Sequence, residues 1–281
     1  MANFTISNGI LLGISYSKEE KVLTIPNTVK HIKKAYIMYS VEKLIIGPSV
    51  ETIEANAFSE GIVLKEIVVD NPNFMIKDGC LFDVNQKTLL LAKRDIKGSL
   101  ILPSTLEAIG DYAFAHCDEL REVRINDNVS YIGTRAFFEC FNLEKVNLPK
   151  NHELGLNGFT FQSTRIKEIT IPKNITSLGR MDFYSCEHLK KVMVESAKIK
   201  NIPFSCFGYC KKILRIDFNN GVKTIEKAAF SDCPELTEIT LPETVATIKG
   251  DNVFKNDSKL TVITSSEPLR TYCDSHGIPW L

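Results

Sequence analysis

The sequence lacks every segment that would place it in a membrane. No apolar run approaches the roughly 18–20 residues that a membrane-spanning helix needs, and the N-terminus has no basic segment followed by an apolar core. We therefore expect no membrane insertion. A full-length chain of this kind is expected in the cytoplasm, whereas a chain trimmed of a leader would be secreted or lie at the cell surface.

Net charge is also absent. The 34 Lys and Arg residues balance 34 Asp and Glu residues over 281 positions, which excludes a generally basic nucleic-acid-binding protein. Hydrophobic residues make up 44% of the chain, too many for a disordered acidic segment. These observations predict a folded protein without a nucleic-acid partner.

The motifs of common active sites are missing as well. Gly-x-Ser-x-Gly, Walker and dinucleotide-binding glycine patterns do not occur. Cys206 and Cys210 are spaced like zinc ligands, but no matching Cys or His pair follows, and His152-Glu153 lacks the second His of a zinc-protease motif. We expect no catalytic residue, cofactor or metal, and an enzyme or its regulatory domain stays a remote alternative.

What the sequence does have is an internal repeat. Ile109–Leu120 and Ile132–Leu143 carry an apolar residue, Phe, Cys and Leu at the same four positions. The Phe recurs at steps of 22 to 24 residues, and earlier copies have Phe58 and, in the Phe position, Ile37. The seven regular copies are Phe114, Phe137, Phe161, Phe183, Phe207, Phe230 and Phe254. Nine copies at one period are typical of a repeat protein.

Each repeat contains one short alternating segment, such as Val123–Ile125 or Ile169–Ile171, that predicts a strand with two inward side chains. The Ala-Phe-x-x-Cys segment predicts a single helical or 3₁₀ turn on the opposite side. Such a unit cannot bury its own apolar face, so it must stack on its neighbours. The fold class is therefore an α/β repeat solenoid, a leucine-rich-repeat curved coil of about nine ~23-residue repeats with a parallel sheet on the concave face and short helical or 3₁₀ turns opposite.

The pattern Leu-x-x-Val-x-Ile-Pro-x-x-Val-x-x-Ile-Gly-x-x-Ala-Phe-x-x-Cys resembles the BspA-like class of bacterial leucine-rich repeats, and the resemblance covers essentially the whole chain. It implies a curved solenoid used for protein or surface recognition, often on secreted or cell-surface proteins. It carries over no catalytic residue.

Three segments depart from the repeat within a single domain, 1–281. Residues 1–25 predict an N-terminal hairpin cap, 59–99 a hairpin insertion that projects from the solenoid, and 265–281 a C-terminal helical cap. The insertion is either a decorative loop or a binding element, and the C-terminal tail is either a cap or a docking segment. The irregular repeat at 150–159 reflects either function or repeat drift.

Five cysteines share one position, three residues after the Phe. They are Cys117, Cys140, Cys186, Cys210 and Cys233. We predict an inward-facing column of buried thiols, because free Cys packs as a small apolar residue. Disulfides between neighbouring repeats stay open as an alternative.

The middle residue of each strand should project from the concave face and contact a ligand. The nine candidates are Ile45, Val68, Ile101, Arg124, Asn147, Thr170, Met193, Asp217 and Thr240. The first three are aliphatic, and they form either an exposed contact patch beside the insertion or a surface that the insertion covers. Just before the strands, Glu122, Lys145, Glu168, Lys191, Arg215 and Glu238 predict a ladder of cross-strand ion pairs.

Together these features predict a non-catalytic binding module, monomeric, that recognises a protein or a surface glycan through its concave strand face. The alternative is a structural spacer or an oligomer-building unit that assembles through its end caps.

Overall fold

Short β-strands recur along the chain, and a helix follows the last of them. The computed structural model describes residues 2–15, 17, 19–33, 40–58, 63–218 and 221–281, so Ile37 lies outside the described residues. No helix within these ranges is long and apolar enough to cross a membrane. The elements are β1 (Asn3–Ser7), β2 (Ile10–Ser15), β3 (Val22–Thr24), β4 (His31–Ile32), β5 (Lys43–Ile46), β6 (Thr52–Ile53), β7 (Glu66–Val69), β8 (Phe74–Lys77), β9 (Cys80–Asp83), β10 (Thr88–Ala92), β11 (Gly98–Ile101), β12 (Ala108–Ile109), β13 (Leu120–Arg124), β14 (Tyr131–Ile132), β15 (Lys145–Val146), β16 (Leu154–Gly155), β17 (Glu168–Ile171), β18 (Ile175–Ser177), β19 (Lys191–Val194), β20 (Asn201–Ile202), β21 (Arg215–Asp217), β22 (Thr224–Ile225), β23 (Glu238–Thr240), β24 (Thr247–Ile248), β25 (Thr261–Ile263) and α1 (Glu267–His276).

The strands of successive repeats stack in parallel ladders. Each repeat, here called a rung, contributes one strand to the concave face. These ladders are β3-β5-β7, β11-β13-β15 and β17-β19-β21-β23-β25. A second series of shorter parallel strands runs along the flank, for example β20-β22-β24. The predicted solenoid of ~23-residue repeats is confirmed, with about ten rungs.

The side opposite the concave strands consists of consecutive tight turns. The amide of Cys117 donates to the carbonyl of Phe114 at 3.0 Å, which is a 3₁₀-type bond, but His116 has a φ of 60° and so prevents a continuous helix. The amide of Phe114 donates instead to the carbonyl of Ala136 in the next rung, at 2.8 Å. Rungs are thus joined by backbone hydrogen bonds on the turn side as well as along the strands.

A continuous stack of phenylalanine rings fills the interior. Phe114 and Phe137 lie parallel with centroids 5.1 Å apart, and the same contact repeats through Phe161, Phe183, Phe207, Phe230 and Phe254 at 5.3 to 5.7 Å. Offset parallel stacking of this kind adds to the free energy gained by burying the rings. The repeated Phe of the sequence therefore sets the spacing of the rungs.

The cysteines form the predicted buried column, and all eight in the chain are free thiols. Four Sγ atoms of the column donate to the carbonyl of a Phe in the rung before, whereas the Sγ of Cys117 donates to the carbonyl of Lys93 at 3.5 Å. Examples are Cys140 to Phe114 at 3.0 Å and Cys186 to Phe161 at 3.1 Å. The thiol therefore satisfies a buried carbonyl as well as filling space, which explains why a small donor is suited to this position.

The insertion does not project from the solenoid as its sequence predicts. Its strands β8, β9 and β10 form an antiparallel meander, and β10 pairs in parallel with β12 of the flank. Both faces of β9 and β10 are buried: Leu81 and Leu90 pack on the N-terminal core, whereas Phe82 and Leu89 pack on the larger C-terminal core. The meander is thus a layer inside the solenoid, because a sheet with apolar residues on both faces must be covered on both sides.

The two ends of the solenoid are covered differently. At the start, β1 pairs antiparallel with β2, which in turn pairs with β4. At the other end, Ser266 accepts a hydrogen bond from the Leu269 amide at 3.3 Å and Gly277, with a φ of 66°, ends α1. The tail then returns to the last concave strand, where the amide of Leu281 donates to the Val262 carbonyl at 2.9 Å. The exposed edge of β25 is therefore paired rather than open.

Candidate interaction surface

The nine candidate residues all lie on or beside concave strands, but the structure divides them among three sheets. Ile45 and Val68 face each other in β5 and β7, and Ile101 pairs with Arg124 in β11 and β13. Asn147 follows β15 directly. The remaining four, Thr170, Met193, Asp217 and Thr240, share one register across β17, β19, β21 and β23.

The N-terminal aliphatic patch is only partly present. Ile101 is 69% exposed, so the insertion does not cover it, whereas Ile45 and Val68 are half-buried. Because Ile101 belongs to a different sheet from the other two, the three side chains do not share one continuous ladder. Ile101 is the strongest apolar contact candidate of the three.

Several polar candidates are already engaged. Asn147 Oδ1 accepts from the amide of Ile125 at 2.9 Å, and its Nδ2 donates to the carbonyl of the same residue at 2.7 Å. Thr240 Oγ1 donates to Asp217 at 2.6 Å. Burial alone would raise the pKa of Asp217, but hydrogen bonds from Arg215 and Thr240 outweigh it and hold that pKa below its ordinary value. The side chain of Asn147 therefore holds the backbone of a neighbouring rung in place, and the side chains of Thr240 and Asp217 are bound to each other.

The predicted charge ladder forms in part. Arg215 pairs with Glu238 on the next strand, and Lys43 pairs with Glu66 at 2.8 Å. Glu122, however, binds Arg124 on its own strand at 2.8 Å rather than Lys145 across the ladder. Local geometry thus decides which of the register-matched charges meet.

The concave face opens between β15 and β17. These strands belong to separate sheets, and within residues 63–218 no backbone hydrogen bond joins them. In the regular rung that follows, the amide of Lys190 donates to the carbonyl of Lys167 at 2.8 Å. A depression of about 770 Å³ occupies the opening, and its lining comes from β13, β15 and the start of β17.

Two sequence features account for the opening. The segment from Thr164 to Ile166 is one residue shorter than its counterpart from Cys140 to Leu143, so the chain reaches β17 early. Asn147 turns its amide back to Ile125 and so ends β15 after two residues. The turn side stays closed, since Phe137 and Phe161 still stack at 5.3 Å. The gap is therefore a wedge that opens only on the concave face.

The irregular rung at 150–159 lies beside this wedge. Its strand β16 pairs only with β18, in a separate two-stranded flank sheet. Glu153 is exposed and accepts a 2.5 Å hydrogen bond from Lys198, two rungs further along. The departure from the repeat thus coincides with interruptions of both sheets.

A further groove of about 590 Å³ lies over β19 and β21, with Met193, 40% exposed, in its lining. Along the edge where the turns enter these strands lies a group of cations that we call the basic rim: Arg165, Lys167, Lys190 and Lys212. The choice of strand-middle residues missed it, because these cations occupy the positions on either side of the Leu or Ile that recurs in each repeat. A count of charge at those positions would have found it.

Among the described residues, no cluster of His, Cys, Asp and Glu has the composition of a metal site. The thiols are chemically quiet: burial raises the pKa of Cys186 and of Cys273 to about 11.

The repeat that builds these stacked strands and turns also matches a family model. That model describes the BspA type leucine-rich repeat region and is six copies long. The model matches residues 15–97, 93–195 and 154–275, which together span most of the chain. The chain belongs to the BspA-type leucine-rich repeat family. No curated protein matches it.

Solved structures show the same fold. A leucine-rich repeat protein from Eubacterium ventriosum ATCC 27560 is 23% identical, with a TM-score of 0.59, over 83% of this chain and 64% of that one. The pneumococcal vaccine antigen PcpA is 18% identical, with a TM-score of 0.60, over 94% of this chain and 68% of that one. The BspA-type chain described here thus spans less than two thirds of the E. ventriosum protein, and the likeness at these identities concerns the solenoid alone.

Proposed function

We propose that this BspA-type repeat protein is a non-catalytic binding module that recognises a protein or a cell-surface ligand through its concave strand face. The observation that carries the proposal is the wedge between β15 and β17, an opening of about 770 Å³ on the concave face. Repeat proteins commonly use such extended concave surfaces for binding.

The composition of the face supports the same function. The strands of this face present exposed apolar side chains, Ile101 in β11 and Met193 in β19, as well as charged ones such as Arg124 in β13. An interface of this kind gains affinity from a few desolvated contacts on a rigid surface, and the surrounding polar residues exclude water.

The test uses ligands selected on the wild-type chain from a displayed random peptide library. We expect the triple variant Ile101→Ser, Arg124→Ala, Met193→Ala to bind them at least about tenfold more weakly, because hot-spot side chains carry most of an interface's affinity. Asn147 is left intact because its amide holds the neighbouring rung.

The matched control carries three substitutions at exposed lysines away from the concave strands, Lys223→Ala, Lys227→Ala and Lys255→Ala. Both variants should unfold near the wild-type temperature, since exposed side chains contribute little to stability. Equal binding by the concave-face variant and the wild type would refute the proposal.

A further inference from the structure

The basic rim consists of two columns of side chains on neighbouring rungs. In one, Arg165 Nη1 donates to Asn142 Oδ1 at 3.5 Å, and His188 and Lys212 follow at the equivalent positions. In the other, Lys167 and Lys190 are linked through their backbones at 2.8 Å. All four cations of the rim are exposed.

The carboxylates nearby do not neutralise this edge. Glu144 pairs with Lys167 at 2.6 Å, and Glu187 pairs with Lys211 at 2.7 Å, so each is already occupied by one lysine. Within the described part of the chain, Lys190 and Lys212 have no carboxylate in ion-pair distance. The rim therefore keeps an excess of positive charge although the whole protein is neutral.

His188 lies among these cations, and its pKa responds to their positive charge. Partial burial and then the charges of Lys212 and Arg165 lower its pKa, so the imidazole stays neutral at neutral pH and adds no charge of its own. A carboxylate brought to this edge would meet uncompensated cations within about one Debye length, ~8 Å at physiological salt.

Large apolar side chains stand at both ends of the rim. Phe141 is 50% exposed in the rung before Arg165, and Leu214 is 49% exposed beside Lys190, whose carbonyl accepts from the Leu214 amide at 3.3 Å. Four rungs at about 4.8 Å give a strip roughly 14 Å long, which about four residues of extended chain span. The strip thus offers two apolar contacts with cations between them.

We infer that the basic rim binds an acidic peptide segment in extended conformation, its carboxylates on Arg165, Lys190 and Lys212 and its apolar side chains on Phe141 and Leu214. This inference rests on the proposed function and deepens it. The rim borders the concave face, and its positive charge indicates the chemistry of the partner.

The observations favour a peptide over a densely charged polysaccharide. Glu144, Glu168 and Glu187 lie among or next to the cations, and they would repel a uniformly anionic chain. A peptide can space its carboxylates to avoid them, and it alone supplies the apolar side chains that Phe141 and Leu214 would cover.

The experiment measures fluorescence anisotropy of a short fluorescein-labelled peptide that has Leu at both ends and Glu residues between them, titrated with the full chain. We expect saturable binding that weakens with added salt, and no binding of the counterpart with Gln in place of Glu. The double variant Lys190→Glu, Lys212→Glu should bind at least about tenfold more weakly, since each exposed pair is worth up to about fivefold and reversal adds repulsion.

The control Lys223→Glu, Lys255→Glu makes the same change in net charge elsewhere and should bind like the wild type. Equal loss in both double variants, or displacement of the peptide by a heparin oligosaccharide that binds more tightly, would overturn the inference in favour of a general polyanion surface. If the Ile101, Arg124 and Met193 variant loses its selected ligands while the rim variant binds every probe normally, the inference fails and the proposed function stands. If neither variant affects any ligand, both fail.

Discussion

Asp257 makes the last rung of the solenoid sensitive to pH. It occupies the position that holds a thiol in five other rungs, and its side chain is only 8% exposed. Its Oδ1 accepts from the amide of Cys233 at 2.7 Å, but its Oδ2 is buried with no hydrogen-bond partner among the described residues. Burial raises the pKa of this carboxyl from 3.8 to about 7.

Because the pKa of Asp257 is raised on folding, the folded chain loses stability as the pH rises. Since the pKa of Asp257 is higher in the folded chain than in the unfolded one, the folded state binds more protons between these two values, and stability falls as pH rises from about 4 to about 7. The difference of about 3 pH units corresponds to at most about 4 kcal/mol in the free energy of unfolding at the C-terminal end. The neutral acid is stabilised because an ionised Oδ2 would be buried without a partner.

The matched variant is Asp257→Asn, which keeps an oxygen for the Cys233 amide but does not ionise. Trp280, the only Trp, reports on this end because its Nε1 donates to Asp274 at 2.8 Å in the cap. Urea unfolding followed by its fluorescence should show the wild type losing up to about 4 kcal/mol relative to the variant between about pH 4 and pH 8. Asp182, whose pKa burial raises to about 6, titrates in both proteins and cancels. Parallel pH profiles would refute the reasoning.

Three more predictions follow from the fold. The amides of Glu168 and Thr170, which face the wedge, should exchange hydrogen faster than the amide of Lys190, which donates to a carbonyl at 2.8 Å; equal protection in a hydrogen-exchange experiment would mean that β15 and β17 pair. Phe183→Ala removes a fully buried ring from the stack and should cost about 3–5 kcal/mol in urea unfolding, and a loss below about 1 kcal/mol would contradict the stacked core. The eight thiols should resist Ellman's reagent in the native chain and react in urea, because all are buried; rapid native labelling would contradict the column.

Much of the fold was predictable because the repeat fixes which side chains point inward. Phe114 and its equivalents are large, recur at one period and have no polar atoms, so only the interior can accept them. The thiol at the position of Cys140 was predictable for the same reason, although its hydrogen bond to Phe114 was not, since that contact joins two rungs. The final helix was predictable because Ser266 and Gly277, which lie at its two ends, have residue types that are preferred as helix caps.

The position of the insertion was mispredicted, although its sequence indicates that it is buried. The run Leu89-Leu90-Leu91-Ala92 is apolar at every position, whereas a projecting hairpin with one wet face would alternate apolar and polar residues. Every side chain of that run is buried, half against each core. The Asp78-Gly79 pair favours a tight turn and so predicts a hairpin, but a turn does not determine where the hairpin packs.

The wedge could not be derived from propensities, because it arises from a conflict between two sides of the same rung. On the turn side, Phe137 and Phe161 stack at 5.3 Å and the amide of Phe137 donates to Thr160 at 2.9 Å, so the spacing of the rungs there is fixed. On the strand side, one residue is missing before β17 and Asn147 bonds backwards, so the ladder cannot continue. A solenoid can open on one face without losing its core, because each rung contacts its neighbours independently along several sides. The short segment before β17 and the backward bond of Asn147 therefore leave a depression of about 770 Å³ on the surface proposed to bind ligands.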